Sequence, residues 1–401
     1  MVYGLIVIVF TWFLASTLIQ RNLVLKGLKA ERSFVQKLFL YHLILAIAYY
    51  VYALFNPSDS IAYYNKVLIN LRGENWMDFY GTSTTFIEWT GYPFIKFLGF
   101  SYEAIMALFS FFGFLGMFFF FLFFLEKKRS NVSFMSFPLL HLVFLLPNLH
   151  FWSSSFGKGS LIFLGIGMIF YSLNSLKDRF ALAILGGFLV YHVRPHIMMV
   201  ILIAVIIAYT FSWKNLNIAT RFVVLLLAGI ALYFVYQDVL SLVGIEQELL
   251  LTDSFNLTHR ASELSKATSG VDITNYSLPV QLFTFLYRPL FFDAPGVLGL
   301  IVSFENVFLL MLTLYFIYKG GLKFLLTGDF LVKTAFLSFL TTSIALAQIA
   351  GNLGLAIRQK SQVMLLFLFV IMRYLDEKNV QRITYNWLKF KSRQRLSPKS
   401  R

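Results

Sequence analysis

The chain has 401 residues, of which 58% are hydrophobic and only 13% are charged, about half the charged share of soluble domains. This composition excludes an ordinary soluble protein, and the absence of cysteine excludes disulfides, thiolate nucleophiles and thiolate metal sites. A net charge of +15 would suggest nucleic-acid binding in a soluble chain. Here, however, Lys and Arg crowd alternate loops between apolar stretches, which is typical of the cytoplasmic loops of a membrane protein.

Apolar stretches of roughly 17 to 25 residues recur along the chain and predict an all-α polytopic membrane protein with about eleven transmembrane helices. The predicted spans are 2–19, 38–55, 103–125, 133–150, 159–174, 180–193, 196–212, 222–241, 296–318, 330–349 and 361–375. Because a basic loop follows the first span, we expect the N-terminus outside, a retained first helix and a cytoplasmic C-terminus. The sequence thus predicts one transmembrane domain, 1–375, and a basic cytoplasmic tail, 376–401.

Two predicted outer loops, 56–100 and 243–285, are long, and loops of this length usually have a function. The first carries Trp76 and Trp89 among charged residues. This pattern predicts an amphipathic segment in the membrane interface, with aromatic rings suited to stacking on sugars. The second loop is polar and rich in Ser and Thr.

The first candidate site residues follow the second predicted span, where Asp59 precedes Tyr63 and Tyr64. A carboxylate at the membrane surface can accept a proton or orient a hydroxyl group. An alternative is a helix cap, in which Ser58 or Asp59 accepts hydrogen bonds from backbone amides. The two roles are compatible.

A second candidate is Lys158, which begins a predicted helix after a turn rich in Ser and Gly that contains Trp152. Free amides, the helix dipole and the ammonium group together favour an anion at such a position. The segment lacks the full phosphate-loop pattern, so it does not predict a nucleotide site. The alternative is an interfacial turn with a lysine that extends to the membrane surface.

Two Arg-Pro pairs, at Arg194 and Arg288, also fall at predicted span ends, and Asp293 and Glu305 follow the second pair. An acid inside a membrane helix is expensive unless it is paired or lines a cavity. Glu305 therefore indicates a site. The alternative is a structural ion pair between Glu305 and Arg288 or Arg358.

The last candidates, Arg358 and Lys360, lie in the junction before the final span, and Arg binds phosphate through two parallel hydrogen bonds. All candidates fall on the predicted outer side. Its cations are Lys158, Arg194, Arg288, Arg358 and Lys360, and its acids are Asp59, Asp293 and Glu305. Excess positive charge on this side is explained by an anionic lipid-linked substrate, such as a polyprenyl diphosphate.

Other chemistries have little support in the sequence. The six histidines show no metal-ligand spacing, and no Gly-x-Ser-x-Gly nucleophile elbow is present, so we predict no metal and no cofactor. We expect His42 and His141 to form hydrogen bonds between helices.

The candidate segments described above, taken in chain order, resemble those of the Wzy-like and EpsG-like polysaccharide polymerases of bacterial O-antigen, capsule and exopolysaccharide loci. The segments that carry the resemblance are Asp59-Ser60 with Tyr63-Tyr64, Phe151 to Ser154 with Lys158, Arg194-Pro195, Tyr287 to Asp293, Glu305-Asn306 and Asn352 to Lys360. The resemblance implies a GT-C-like, metal-independent glycosyltransferase of the bacterial inner membrane. It would transfer a glycan from undecaprenyl diphosphate onto a lipid-linked repeat unit at the periplasmic face.

Within this hypothesis, cations bind the diphosphate and stabilise its charge as the glycosidic bond breaks. The diphosphate-binding residues would be Arg194, Arg288, Arg358, Lys360 and Lys158; the catalytic acids Asp59, Glu305 and Asp293; and the glycan-binding residues Tyr63, Tyr64, Trp152 and His196. The expected partners are the lipid-linked glycan and membrane lipids, with a chain-length regulator and a flippase as further candidates and no nucleic acid. Three alternatives remain open: a transferase that adds one sugar from a polyprenyl phosphate, a transporter or flippase for a lipid-linked glycan, and a non-catalytic subunit of a synthase.

Overall fold

The structure, a computed structural model, describes residues 2–24, 27–212, 217–242, 270–271, 273, 275–294, 296–348 and 351–396. Most of them are helical, and their only strands form a short hairpin, Ser133–Phe134 with Phe137–Pro138. The α-helices are α1 Val2–Ile19, α2 Lys29–Phe55, α3 Asp59–Leu68, α4 Thr84–Tyr92, α5 Tyr102–Lys127, α6 Leu139–Phe144, α7 Pro147–Ser153, α8 Lys158–Leu173, α9 Phe180–Val193, α10 Pro195–Ser212, α11 Ile218–Leu242, α12 Leu278–Tyr287, α13 Gly296–Tyr318, α14 Gly321–Thr327, α15 Phe330–Ala347 and α16 Leu353–Leu396.

Seven of the described helices are long and apolar enough to cross a membrane. They are Val2–Leu23, Lys29–Phe55, Tyr102–Lys127, Pro195–Ser212, Gly296–Tyr318, Phe330–Ala347 and Leu353–Lys391. Shorter apolar helices include α8, α9 and α12. The all-α, membrane-type fold is thus confirmed, whereas the number of eleven spans and their orientation stay predictions.

One predicted span, 133–150, is not a single helix. The chain first forms the hairpin, with Met135 and Ser136 at positive φ, and then makes two short helices, α6 and α7. Pro147 is the first residue of α7; proline lacks an amide proton and disfavours helical backbone at the residue before it, so the helix cannot continue through this point.

The predicted outer loop 56–100 is folded into short helices. Glu88 on α4 is fully buried and forms ion pairs with Lys66, at 3.5 Å, and with Arg72. Trp76 stacks on Trp89 with ring centroids 5.0 Å apart, and its indole N–H donates to the Trp89 carbonyl. The rings that were expected to meet sugars therefore pack on each other.

Of the second predicted outer loop, 243–285, residues 243–269 lie outside the described part of the chain. The described end of the loop contacts the start of α16, since the Val271 amide donates to the Gly351 carbonyl at 2.9 Å. Gly270 and Asn352 form an isolated bridge at the same place. This loop therefore returns to the helix that carries Arg358 and Lys360.

Close packing between α5, α8 and α9 depends on glycine. A Cβ atom at Gly167 would lie 2.7 Å from the Gly116 carbonyl oxygen, and one at Gly186 would lie 2.8 Å from the Gly165 oxygen. Small residues let membrane helices approach this closely. Since α8 and α9 form a hairpin, the first residue of α8, Lys158, and the residue after α9, Arg194, lie at the same end of the bundle.

Candidate functional site

Lys158 and Arg194 are connected through the loop before α4. The Lys158 ammonium donates to the Ser83 hydroxyl at 2.8 Å, and the Ser83 amide donates to the His192 carbonyl at 2.6 Å. Ser83 has φ of 62°, in the left-handed region that few residues adopt. The loop 56–100 thus holds the ammonium group beside the end of α9.

Arg194 is 9% exposed, and its guanidinium has no ion pair or side-chain hydrogen bond with any residue that the structure describes. Its backbone is well held, because the amide donates to the Val190 carbonyl at 2.8 Å. Burial, followed by the charge of Arg358, lowers the pKa of Arg194 to about 10. Burying a charge without a partner is costly, so this guanidinium indicates a site for an anion.

The same environment acts on Lys158, which lies one residue before the predicted span 159–174. Burial and then the charge of Arg194 lower the pKa of Lys158 to about 8, while the charge of Asp59 opposes the shift. These three cations, Lys158, Arg194 and Arg358, are therefore close enough to repel one another. Groups of like charge are unfavourable in the absence of a counter-ion.

Arg358, on the second turn of α16, donates to the Asp59 carboxylate at 2.8 Å. Both side chains are accessible, 35% and 56% exposed, so this pair contributes little to stability. Ser58 caps α3 by accepting from the Ser60 amide at 3.3 Å, which leaves the Asp59 carboxylate for Arg358. The predicted cap is confirmed for Ser58.

Tyr63, one turn after Asp59, completes this group, and its ring lies within 3.8 Å of the position a Gly157 Cβ would take. Burial and then the Asp59 charge raise the pKa of Tyr63 to about 12, so its hydroxyl remains a hydrogen-bond donor. We refer to Asp59, Tyr63, Lys158, Arg194 and Arg358 as the Arg194 cluster. Four separated parts of the sequence supply it.

A second group of polar residues is fully enclosed. The Glu305 carboxylate, 6% exposed, accepts from the Asn148 amide at 2.9 Å, and the Asn148 side chain donates to the Ile357 carbonyl at 3.0 Å. Lys360 donates to the Asn306 side chain and, at 3.1 Å, to the Leu286 carbonyl. This buried network and the Arg194 cluster meet on the first turns of α16.

Arg288 is engaged within its own turn. Its guanidinium forms an ion pair with Asp293, which also accepts from the Leu290 amide. The turn joins the buried network, because the Asn306 side chain donates to the Pro289 carbonyl at 2.7 Å. Among the described residues, Glu305 forms no ion pair with Arg288 or Arg358. The alternative prediction of such a pair is therefore wrong.

The remaining predicted residues are held by protein contacts. The Tyr64 hydroxyl donates to the Phe100 carbonyl at 3.2 Å, and Trp152 meets Tyr49 edge-on at 5.9 Å. His196, at the start of α10, is half-buried. These contacts do not indicate that Tyr64, Trp152 or His196 binds a glycan.

Sequence reasoning missed Glu88, whose charge reaches both Lys158 and Tyr63. Its signal was an acid within the apolar run Phe86-Ile87-Glu88-Trp89. Within the described ranges, no three His, Asp or Glu side chains are grouped as metal ligands.

A cavity of about 210 Å³ lies at the opposite end of the bundle and is lined by Glu31, Lys128, His141 and Asp376, among others. Ligand pockets usually measure about 300–1,000 Å³, so this one is small for a lipid-linked oligosaccharide. The Arg194 cluster, rather than this cavity, is the better candidate site.

No family model matches the chain, and neither curated proteins nor solved structures provide a match. The function therefore has to be argued from the residues themselves.

Proposed function

We propose that this chain is a glycosyltransferase of the bacterial inner membrane that polymerises undecaprenyl-diphosphate-linked repeat units at the periplasmic face. The proposal is supported above all by Arg194, a buried guanidinium without a counter-ion among the described residues, next to two further cations. A diphosphate supplies the missing negative charge and matches the planar fork of Arg. The polymerase activity itself follows from the resemblance of the segments that form this cluster.

In the proposed reaction, an acceptor hydroxyl attacks the anomeric carbon of the donor glycan. The bond between that carbon and the diphosphate oxygen breaks, and the electron pair leaves with the lipid diphosphate, which gains one negative charge. Fixed cations at this oxygen stabilise the transition state. We assign this role to Lys158, Arg194 and Arg358.

The hydroxyl proton passes to Asp59, whose carboxylate is accessible and is oriented by Arg358 at 2.8 Å. Arg288 and Lys360 already bind Asp293 and Asn306, respectively. Their proposed role is therefore narrower: they fix the α12–α13 turn and the first turns of α16 behind the diphosphate. Glu305 belongs to the same supporting network.

The test uses cells that lack the gene and express Arg194→Ala from a plasmid. We expect polymer yield to fall roughly 100- to 1,000-fold, the loss typical of removing one preorganised charge donor at a transition state. Lipid-linked glycans are separated on gels, and the protein is quantified in membranes. A ladder of wild-type yield would contradict the proposal.

Arg179→Ala is the matched control, because Arg179 lies at the other end of the α8–α9 hairpin and is paired with Glu126 at 2.6 Å. This variant should retain the ladder. Product length also separates the alternatives: one added sugar indicates a single-addition transferase, and lipid moved across liposomes without elongation indicates a flippase.

A further inference from the structure

Two buried histidines that are not part of the Arg194 cluster meet in the interior of the bundle. His42 lies at the midpoint of α2 and is 1% exposed, and His150 lies on α7 and is 0% exposed. Their Nδ1 atoms are 3.0 Å apart, which is hydrogen-bonding distance. The proposed function uses neither residue.

The other nitrogen of each ring faces a backbone carbonyl. His42 Nε2 lies 3.0 Å from the Ser110 oxygen, and His150 Nε2 lies 2.8 Å from the Phe144 oxygen. A carbonyl oxygen only accepts hydrogen bonds, so each Nε2 carries a proton. A neutral imidazole has a single N–H, and both Nδ1 atoms would then be bare.

Two bare nitrogens that face each other at 3.0 Å direct their lone pairs together and repel. The contact becomes attractive when a third proton lies between them. The geometry points to a proton-binding site formed by His42 and His150, in which one proton is shared by the two Nδ1 atoms. The pair then carries one positive charge between α2 and α7.

The surroundings of this pair are mostly apolar. The Tyr41 ring on α2 meets the His150 ring edge-on, with ring centroids 4.9 Å apart, and the Tyr41 hydroxyl donates to the Leu145 carbonyl. The ring centroids of Phe114, on α5, and His42 are 6.1 Å apart. In the part of the chain that the structure describes, no carboxylate contacts either imidazole. The acid that comes nearest along the chain of contacts is Glu305 on α13, which accepts a hydrogen bond from the amide of Asn148, two residues before His150. Glu305 in turn interacts with the charge of Lys360 on α16.

An ionisable residue inside a membrane usually has a function. Here the bound proton joins α2 to α7, and α7 leads directly to Lys158. Loss of the proton would leave the two rings in repulsion and weaken the contact between α7 and α2. The site therefore couples a proton bound between α2 and α7 to the position of the segment that precedes α8.

Solid-state NMR of the full chain in liposomes, with ¹⁵N-labelled histidine, tests this inference. At neutral pH we expect one strongly deshielded proton that correlates with two histidine nitrogens. His42→Asn and His150→Asn should each abolish this signal completely. His141→Asn should leave it, because the His141 ring pairs with the Glu31 carboxylate at 3.1 Å instead.

The wild-type spectrum is decisive even where a variant fails to fold. A ¹³C label at the Ser110 carbonyl assigns the His42 ring through its Nε2 contact. Two neutral imidazoles with no shared proton, or one ring turned so that a carbon faces its neighbour, would overturn the inference.

Discussion

At one end of the bundle Arg373 and Arg179 lie against carboxylates, whereas Arg194, at the other end, does not. Arg373 is 6% exposed and lies 3.3 Å from Asp329 and 3.7 Å from Asp376, and Arg179 contacts Glu126 at 2.6 Å. Arg194 is buried to a similar degree but has no such partner among the described residues. Ion pairs therefore compensate the buried charges of Arg373 and Arg179, whereas the Arg194 cluster has three cations and a single carboxylate, Asp59.

Arg373→Ala should have the largest effect on stability. It removes the ion-pair partner of Asp376, which is 1% exposed, and breaking a buried ion pair costs about 3–5 kcal/mol. The free energy of unfolding is measured by denaturation of the purified protein in detergent. A loss below about 1 kcal/mol, the usual value of a surface pair, would show that this end is not held by its ion pairs.

Arg194→Met should behave in the opposite way. Replacing an uncompensated buried charge by an apolar side chain of similar length should leave the free energy of unfolding unchanged or raise it. Polymer yield should still fall roughly 100-fold or more. If Arg194→Met destabilised the protein as much as Arg373→Ala, the guanidinium would have a structural partner and the comparison between the two ends would fail.

The pH dependence of diphosphate binding should depend on Lys158. Its pKa of about 8 means that the ammonium is charged at neutral pH and loses its proton above pH 8. Since the anion binds the charged form, affinity should fall as the pH rises through this value, by up to about tenfold per pH unit. A glycosylated diphosphate has no group that titrates in this range.

Lys158→Arg is the matched control, because guanidinium stays charged over the whole range. Binding to this variant should be nearly independent of pH between neutrality and pH 9. The same decline in both proteins would exclude Lys158 as its cause.

The smallest effect is expected at the Arg358–Asp59 pair. Because both side chains are accessible, Asp59→Asn should change the free energy of unfolding by about 0.2–1 kcal/mol at most. Its activity should nevertheless drop, since the carboxylate is the proposed base. A stability loss of several kcal/mol with normal activity would reverse this assignment.

Much of the Arg194 cluster was accessible from the sequence. Hydropathy places Asp59, Lys158, Arg194 and Arg358 at span ends, and helices that alternate in direction bring such ends to one side. Individual partners were not predictable: Arg288 pairs with Asp293 in the same turn, and Glu305 accepts from a backbone amide. Those choices depend on which helices are neighbours.

The sequence prediction also missed the break at Pro147, the burial of Glu88 and the identity of His150 as the partner of His42. Helix neighbours are selected by close packing, as where Gly116 faces Gly167, and hydropathy carries no information on such contacts. A span prediction from average hydropathy also does not detect a single proline at a helix start.

The most direct test of the account is the affinity of the purified protein, in nanodiscs, for a short-chain polyprenyl diphosphate linked to a sugar. Wild type, Arg194→Met and Arg179→Met are compared at neutral pH and fixed ionic strength. The account predicts binding that is at least about tenfold weaker for Arg194→Met, because a hydrogen bond to a charged group contributes about 1.5–3 kcal/mol, and unchanged for Arg179→Met. Equal affinity of all three proteins would contradict it.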